Sequence, residues 1–217
     1  MAVESMPSTE ATTCPNCEQK EGDHPLFCTG CGHLFPEDEG ANHFALFGLT
    51  PSFDIDEGEL ELKLIDISRR FHPDFFATSD AEQQKLSLQY SASLNTAHQV
   101  LRDPFERAEY LVQLFGGKQS SEDKSIPEGF LQKTMLLRMK LEEAVEDNDE
   151  SAIDALNQQV INESEELLRG MSELFERLNN EDGERNSILA QARMDLNATK
   201  YIRNLIHDSS GLQRPDA

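Results

Sequence analysis

The residues with the clearest chemical potential are four cysteines, which form two Cys-x-x-Cys pairs separated by ten residues. A gap of two residues lets both thiolates of a tight turn face one ion, and nearby glycines allow the left-handed turns that such knuckles require. Four soft thiolates favour a closed tetrahedral zinc site with no open position for water, whereas redox-active thiols or iron are the alternatives. The spacing therefore predicts one structural zinc per chain, with the metal ligands Cys14, Cys17, Cys28 and Cys31.

The segment that carries these cysteines, residues 14–40, has almost no helical periodicity and is too short to build a core of its own. Metal-ligand energy of ~10–16 kcal/mol would therefore be its folding energy. Because the segment contributes no apolar stripe to the helices that follow, we expect loss of the metal to change their melting little. Residues 1–13 are rich in Ser, Thr and Glu, and they are predicted to be a disordered tail.

A second group of candidate residues is the tripeptide His72-Pro73-Asp74. The helical pattern before it is capped near Asp56 and ends at the proline, because the residue before a proline leaves the α region. Another helix is predicted after Ser79 or Asp80. The proline fixes the backbone of the corner, so the side chains beside it are expected to project from the loop. A simple interhelical turn with an incidental histidine is the alternative.

The remaining elements are also predicted to be helical. Residues 118–126 are polar and form a predicted linker, and three long amphipathic patterns follow at about 128–147, 150–178 and 184–207. Short connections between long helices favour an antiparallel bundle. The sequence therefore predicts an all-α protein. Its predicted parts are a small zinc-knuckle or ribbon segment (14–40), a helical hairpin domain (41–117), the linker (118–126), a C-terminal three-helix bundle (127–208) and a flexible tail (209–217).

The helix at about 128–147 carries two stripes. Phe130, Leu137 and their neighbours one turn apart can enter a bundle core. A second stripe, about 100° around the helix, holds Leu136 and Met139. Since a bundle helix buries one face, these two residues are predicted to be exposed and to mark a partner site. A broader core that buries both stripes is the alternative.

The element order around the His-Pro-Asp corner resembles the J-domain, and further residues resemble one branch of it, the HscB family of co-chaperones in iron–sulfur cluster assembly. The resemblance covers nearly all of residues 42–208, and the double Cys-x-x-Cys is similar to the zinc-binding extension of eukaryotic members. The matching residues are Phe75-Phe76, Leu94-Asn95-x-Ala97, Val100-Leu101-x-Asp103-Pro104, Arg107-Ala108-x-Tyr110-Leu111, Phe130-Leu131, Arg138 and Glu143.

This resemblance implies a co-chaperone without catalytic chemistry of its own, which stimulates the ATPase of a DnaK/HscA-type chaperone and delivers an IscU-type scaffold protein to it. General J-domains carry Tyr-Arg where this chain has Leu64 and Ile65. The implied chaperone-binding residues are His72, Pro73, Asp74, Arg69, Arg70 and Lys63. The implied scaffold-binding residues are Leu131, Gln132, Leu136, Met139, Glu143 and Tyr201.

Composition limits the remaining possibilities. The chain has 19 Lys and Arg against 41 Asp and Glu, a formal charge of −22, which opposes binding to the phosphate backbone of nucleic acids. No apolar run approaches the ~20 residues that span a bilayer, and residues 1–13 lack the basic residues of a targeting peptide. We therefore expect a cytoplasmic protein with no nucleic-acid or membrane partner. A general J-domain co-chaperone and a zinc-ribbon adaptor remain as alternative functions.

Overall fold

The computed structural model describes residues 13–19, 26–36, 42–180 and 184–212. These ranges contain seven α-helices and no strand beyond one isolated antiparallel bridge, so the predicted all-α class is confirmed. The described residues fall into two compact units. The first unit holds the residues up to Pro51 together with Ile55–Arg102, and the second holds Ser52–Asp54 together with the residues from Asp103 onward.

The first unit is built on a helical hairpin. Its elements are α1 (His43–Leu46), α2 (Glu57–Phe71), a 3-10 turn (Pro73–Phe76) and α3 (Ala81–Arg102). Local side chains set the helix starts: Asp56 Oδ1 accepts the Glu59 N–H at 2.9 Å. Asp80 Oδ1 accepts the Gln83 N–H at 2.9 Å in the same way. The predicted caps are thus confirmed, and α2 ends at Phe71, two residues before the proline, as the rule for pre-proline residues requires.

The core of this hairpin uses one face of each helix. Within α3 the buried face includes Tyr90, Leu94, Ala97 and Leu101, while Leu86 is half-buried. Phe71 of α2 stacks on Tyr90 of α3 with ring centroids 4.9 Å apart. The buried members of the hairpin are Phe44, Leu46, Phe47, Leu60, Ile67, Phe71, Tyr90, Leu94, Ala97 and Leu101.

The cysteine segment also belongs to this core, which corrects the expectation that it contributes nothing to the helices. Leu26, Phe27 and Leu34 are buried, and Phe27 pairs with Leu34 in the isolated bridge. The Gln83 side chain of α3 bonds the Leu34 backbone in both directions, accepting its N–H at 2.8 Å and donating to its carbonyl at 2.9 Å. The Tyr90 hydroxyl donates to the Phe35 carbonyl at 2.6 Å. These apolar residues follow no helical period, so periodicity could not reveal their packing.

The second unit consists of α4 (Pro104–Leu114), α5 (Phe130–Glu146), α6 (Glu150–Asn180) and α7 (Arg185–Leu212). Helices α5, α6 and α7 pack against one another in pairs and form the predicted three-helix bundle. None of the described helices combines the length and the apolar character that crossing a membrane would need. One cluster of the bundle core contains Phe130, Leu137, Val160, Ala198, Ile202 and Leu205.

Helix α4 contacts α6 and α7 and belongs to the second unit. The boundary between the two units therefore lies between Arg102 and Asp103, upstream of the polar segment 118–126 that the sequence predicts as a linker. Arg193 of α7 is buried and makes a bidentate ion pair with Glu109 of α4 at 2.5 and 2.6 Å. The polar segment is itself anchored, because the Asn197 amide donates to the carbonyls of Asp123 and Ser125, each at 2.9 Å. Hydrophobic periodicity could not predict these contacts, because they are made by polar side chains.

Candidate functional site

The four cysteines form a compact cluster of sulfur atoms. All four Sγ atoms lie within 4.8 Å of one another. The Cys14–Cys31 and Cys17–Cys28 pairs are each 3.7 Å apart. A tetrahedral site with Zn–S bonds of ~2.3 Å has edges of ~3.8 Å, whereas a disulfide would bring two sulfurs to ~2.05 Å. The free thiols are therefore arranged as the ligands of a single metal ion.

Two backbone knuckles of the same design present these sulfurs. Cys14 N–H donates to the Gln19 carbonyl at 2.8 Å, and Cys28 N–H donates to the His33 carbonyl at 2.8 Å. The residue after the second cysteine of each pair has a left-handed backbone, with φ of 59° at Glu18 and 76° at Gly32. The second knuckle thus has a glycine where the backbone favours one, and the first does not.

The thiols of the cluster do not ionise equally. The Asn16 amide donates to Cys31 Sγ at 3.5 Å and, with further hydrogen bonds, lowers the pKa of Cys31 to about 6 despite some loss of solvation. At Cys17 a backbone hydrogen bond from Gln19 lowers the pKa, but lost solvation and the neighbouring cysteines outweigh it and raise the pKa to about 12. Holding four thiolates together therefore requires a cation at the centre of the cluster.

The His72-Pro73-Asp74 corner combines a fixed backbone with exposed side chains. His72 Nδ1 accepts the Asp74 N–H at 3.3 Å, so the imidazole caps the 3-10 turn. Buried Phe71 and Phe76 flank the corner and anchor it. The Asp74 side chain is 90% exposed and that of His72 is 54% exposed. The prediction that side chains beside the proline project from the loop is therefore confirmed.

The basic residues near the corner differ in how they are paired. Lys63 Nζ lies 3.4 Å from Glu59, and Arg70 Nε lies 3.1 Å from Asp66. Arg69 is exposed and makes no ion pair with any residue in the described ranges. Both arginines line a groove of about 750 Å³ that also includes Phe75 after the corner. Lys63 instead lines a neighbouring groove with Arg70, so the structure brings Arg69 and Arg70, more than Lys63, to the corner.

The implied scaffold-binding residues lie on the surface of the second unit. In α5 the stripe beginning at Phe130 is buried, while Leu136 and Met139 are 58% and 55% exposed. The prediction of one buried face is confirmed, and the alternative of a doubly buried helix is wrong. Leu131, Gln132 and Glu143 are exposed on the same helix.

Tyr201 is also exposed, but it lies on α7 and lines a small groove with Lys124 to which no α5 residue contributes. Sequence reasoning missed Met135, which is 66% exposed. Its position four residues after Leu131 and four before Met139 was the available signal, because residues at that spacing share a helix face. In the first unit it also missed Phe27, whose place in the core has no periodic signal.

Comparison with known proteins gives a consistent result. The family model described as the HSCB C-terminal oligomerisation domain matches residues 126–208. A co-chaperone protein HscB homolog from Pseudoalteromonas atlantica is 34% identical over 169 residues, which cover 77% of this chain and 93% of that protein. A homolog of the same description from Vibrio vulnificus is 40% identical over 121 residues, covering 55% of this chain and 71% of the other.

Two solved structures are similar over most of the chain. The chaperone HscB from Vibrio cholerae matches with a TM-score of 0.64 and 30% identity, covering 80% of this chain and 98% of that one. The crystal structure of human co-chaperone protein HscB matches with a TM-score of 0.75 and covers 94% of this chain and all of the other. At 24% identity the human protein supports the fold alone.

Proposed function

This chain belongs to the HscB family of co-chaperones, and from that premise we propose that it stimulates ATP hydrolysis by a DnaK/HscA-type chaperone and delivers an IscU-type scaffold protein for iron–sulfur cluster assembly. The observation that carries the proposal is the corner. His72 and Asp74 are exposed on a backbone fixed between two buried aromatic residues, near Arg69, which has no ion pair within the described ranges. A rigid, exposed polar corner beside an open groove suits recognition of a protein, and the chain would act in the cytoplasm without catalytic chemistry of its own.

The scaffold protein would bind the exposed face of α5. Leu131, Leu136 and Met139 present apolar side chains on a helix whose opposite face fills the bundle core. Exposed apolar residues on a rigid helix are typical of partner sites, and methionine adapts to irregular surfaces. Gln132, Glu143 and Tyr201 would add polar contacts around them.

The metal held by the four cysteines would be zinc. The Sγ spacing of 3.7 Å fits a tetrahedron of Zn–S bonds, and four soft thiolates leave no position open for water. Its function would be structural, because it would join the first knuckle to the second, whose neighbouring residues Phe27 and Leu34 pack on the hairpin.

The test is a single-turnover ATPase assay of a purified DnaK/HscA-type chaperone with and without this protein. We expect stimulation by the wild-type chain and none by His72→Gln, with unchanged circular dichroism and unchanged scaffold binding. His98→Gln is the matched control, since this histidine of the same hairpin pairs with Glu61 at 3.0 Å, away from the corner. Full stimulation by a folded His72→Gln variant would overturn the proposal.

A further inference from the structure

The groove beside the corner has two walls of different origin, both within the first unit. One wall comes mostly from the second cysteine knuckle, including Thr29 and His33, with Asn16 of the first knuckle at its edge. The other comes from the end of α2 and the 3-10 turn and includes Arg69 and Phe75. The knuckle thus lies next to the residues that we propose for chaperone docking, so a partner seated on the corner would also meet the cysteine segment.

We propose that the docking surface for the ATP-hydrolysing chaperone continues from the corner across this groove onto the second knuckle, and that the partner segment seated in the groove is acidic. This inference rests on the function proposed above. It gives the cysteine segment a direct part in partner recognition, beyond its structural contribution to the hairpin.

The charges that line the groove favour an acidic segment. Its two carboxylates already have partners: Asp66 is paired with Arg70, and Asp80 accepts the Gln83 N–H in the first turn of α3. Arg69 remains as the exposed cation without an ion pair among the described residues. A complementary carboxylate is the group that such an exposed cation would attract.

The groove also offers apolar surface. Phe75 is 71% exposed and lies edge-on to the His72 ring, with centroids 6.4 Å apart and an interplanar angle of 84°. An exposed aromatic side chain beside a cation and a fixed corner is typical of the anchors found at protein interfaces. The partner segment would therefore combine acidic side chains with an apolar contact to Phe75.

The cysteine cluster controls the position of the knuckle wall. Thr29 lies between the ligands Cys28 and Cys31, and Gly32 N–H donates to the Cys28 carbonyl at 2.8 Å. Thr29 is exposed and its hydroxyl makes no hydrogen bond with the described residues, so the side chain can be changed without loss of a metal ligand. A charge placed at position 29 would therefore test the groove and leave the fold intact.

The pseudo-equivalent residue of the first knuckle supplies a matched control. Pro15 follows Cys14 as Thr29 follows Cys28; it is exposed and does not line the groove. We would make Thr29→Glu and Thr29→Arg with Pro15→Glu and Pro15→Arg in the full chain. Zinc content and melting of each variant would be measured first. Affinity for the purified chaperone would then be measured at low and physiological salt.

We expect Thr29→Glu to weaken chaperone binding about two- to fivefold and Thr29→Arg to strengthen it by a similar factor, the range for exposed charge pairs. Both effects should shrink at higher salt. The Pro15 variants should change affinity less. Equal effects at the two positions, or the opposite sign at Thr29, would overturn the inference. His72→Gln is measured in parallel, because its failure to abolish stimulation would refute the proposed function itself and not only the groove.

Discussion

The Phe27 ring packs edge-on against Phe71, with centroids 5.8 Å apart and an interplanar angle of 81°. Phe27 belongs to the cysteine segment, whereas Phe71 is the last residue of α2 and directly precedes His72. The Phe71 carbonyl also accepts hydrogen bonds from the Ser87 and Ser91 hydroxyls at 2.6 and 3.2 Å. The contact therefore links the metal-binding segment to the backbone from which the corner projects.

This contact predicts that Phe27→Ala destabilises the first unit by about 3–5 kcal/mol, the usual cost of removing a buried phenylalanine. Because Phe71 loses a neighbour, hydrogen exchange should also accelerate at the backbone amides of His72 and of residues 74–76. Phe75→Ala is the control, since this exposed ring should change stability by less than about 0.5 kcal/mol. Unchanged exchange at the corner in Phe27→Ala would show that the two regions are not coupled.

Loss of a metal ligand is the second test. Cys28→Ser should lower zinc affinity sharply, and it should lower the melting temperature of the first unit by more than about 5 °C, because Phe27 and Leu34 leave the hairpin core with the segment. Calorimetry with and without a chelator measures both effects. Thr29→Ser, an adjacent change at a residue that is no ligand, should leave both unchanged. A chelator-independent melting curve in the wild-type chain would contradict this prediction.

The structure predicts a large effect of metal loss on melting, whereas the sequence predicted a small one. The reason lies in which contacts leave a local signal in a sequence. Periodicity and capping residues predicted α2, α3 and the buried face of α5 because those signals are local. Spacing likewise predicted which four cysteines form one cluster able to hold a metal ion. Gln83 and Leu34 pair across 49 residues, and Arg193 and Glu109 across 84, so their partners had no local signal. Contacts of this kind depend on the tertiary fold.

The left-handed residue of the first knuckle provides a third prediction. Glu18 has φ of 59°, a conformation that costs a side-chain-bearing residue about 1 kcal/mol or more. Glu18→Gly should therefore tighten metal binding about fivefold. Glu18→Ala is the matched control, because it removes the carboxylate and keeps the unfavourable backbone. Equal affinity gains in both variants, measured by competition with a chelator, would attribute the effect to charge.

A fourth prediction concerns the exposed stripe of α5. Leu136→Ala combined with Met139→Ala should weaken scaffold binding more than about tenfold, or ~1.4 kcal/mol, while the melting temperature stays the same, since neither side chain contributes to the core. Isothermal titration with an IscU-type scaffold measures the affinity. Ile161→Ala, an exposed apolar residue of α6, is the control and should bind normally. Normal binding by the double variant would place the site elsewhere.

A fifth prediction concerns the pH dependence of the stability of the second unit. Burial raises the pKa of Asp103, but the hydrogen bonds and charge of Arg203, at 3.0 and 3.1 Å, outweigh it and hold the pKa below its ordinary value of 3.8. The ionised carboxylate therefore stabilises the fold above that ordinary value, and this contribution is lost as the pH falls through the lower folded pKa.

Asp103→Asn should accordingly be less stable than the wild-type chain at pH 5 to 7, and the gap in urea midpoints should close as the pH falls below 3.8. Asp154→Asn is the control, since this exposed aspartate of α6 has no ion pair among the described residues. A gap that stays constant down to the lowest pH would mean that packing, and not charge, accounts for the loss.

The capping bond at the corner has a consequence for the protonation of the histidine. Because Nδ1 of His72 accepts the Asp74 N–H, the neutral ring must carry its proton on Nε2. The half-exposed ring thus offers Nε2–H as a donor, while the exposed Asp74 carboxylate, 3.6 Å from Nδ1, offers acceptor oxygens. The corner therefore offers both a hydrogen-bond donor and hydrogen-bond acceptors, the two kinds of group with which a peptide amide can pair.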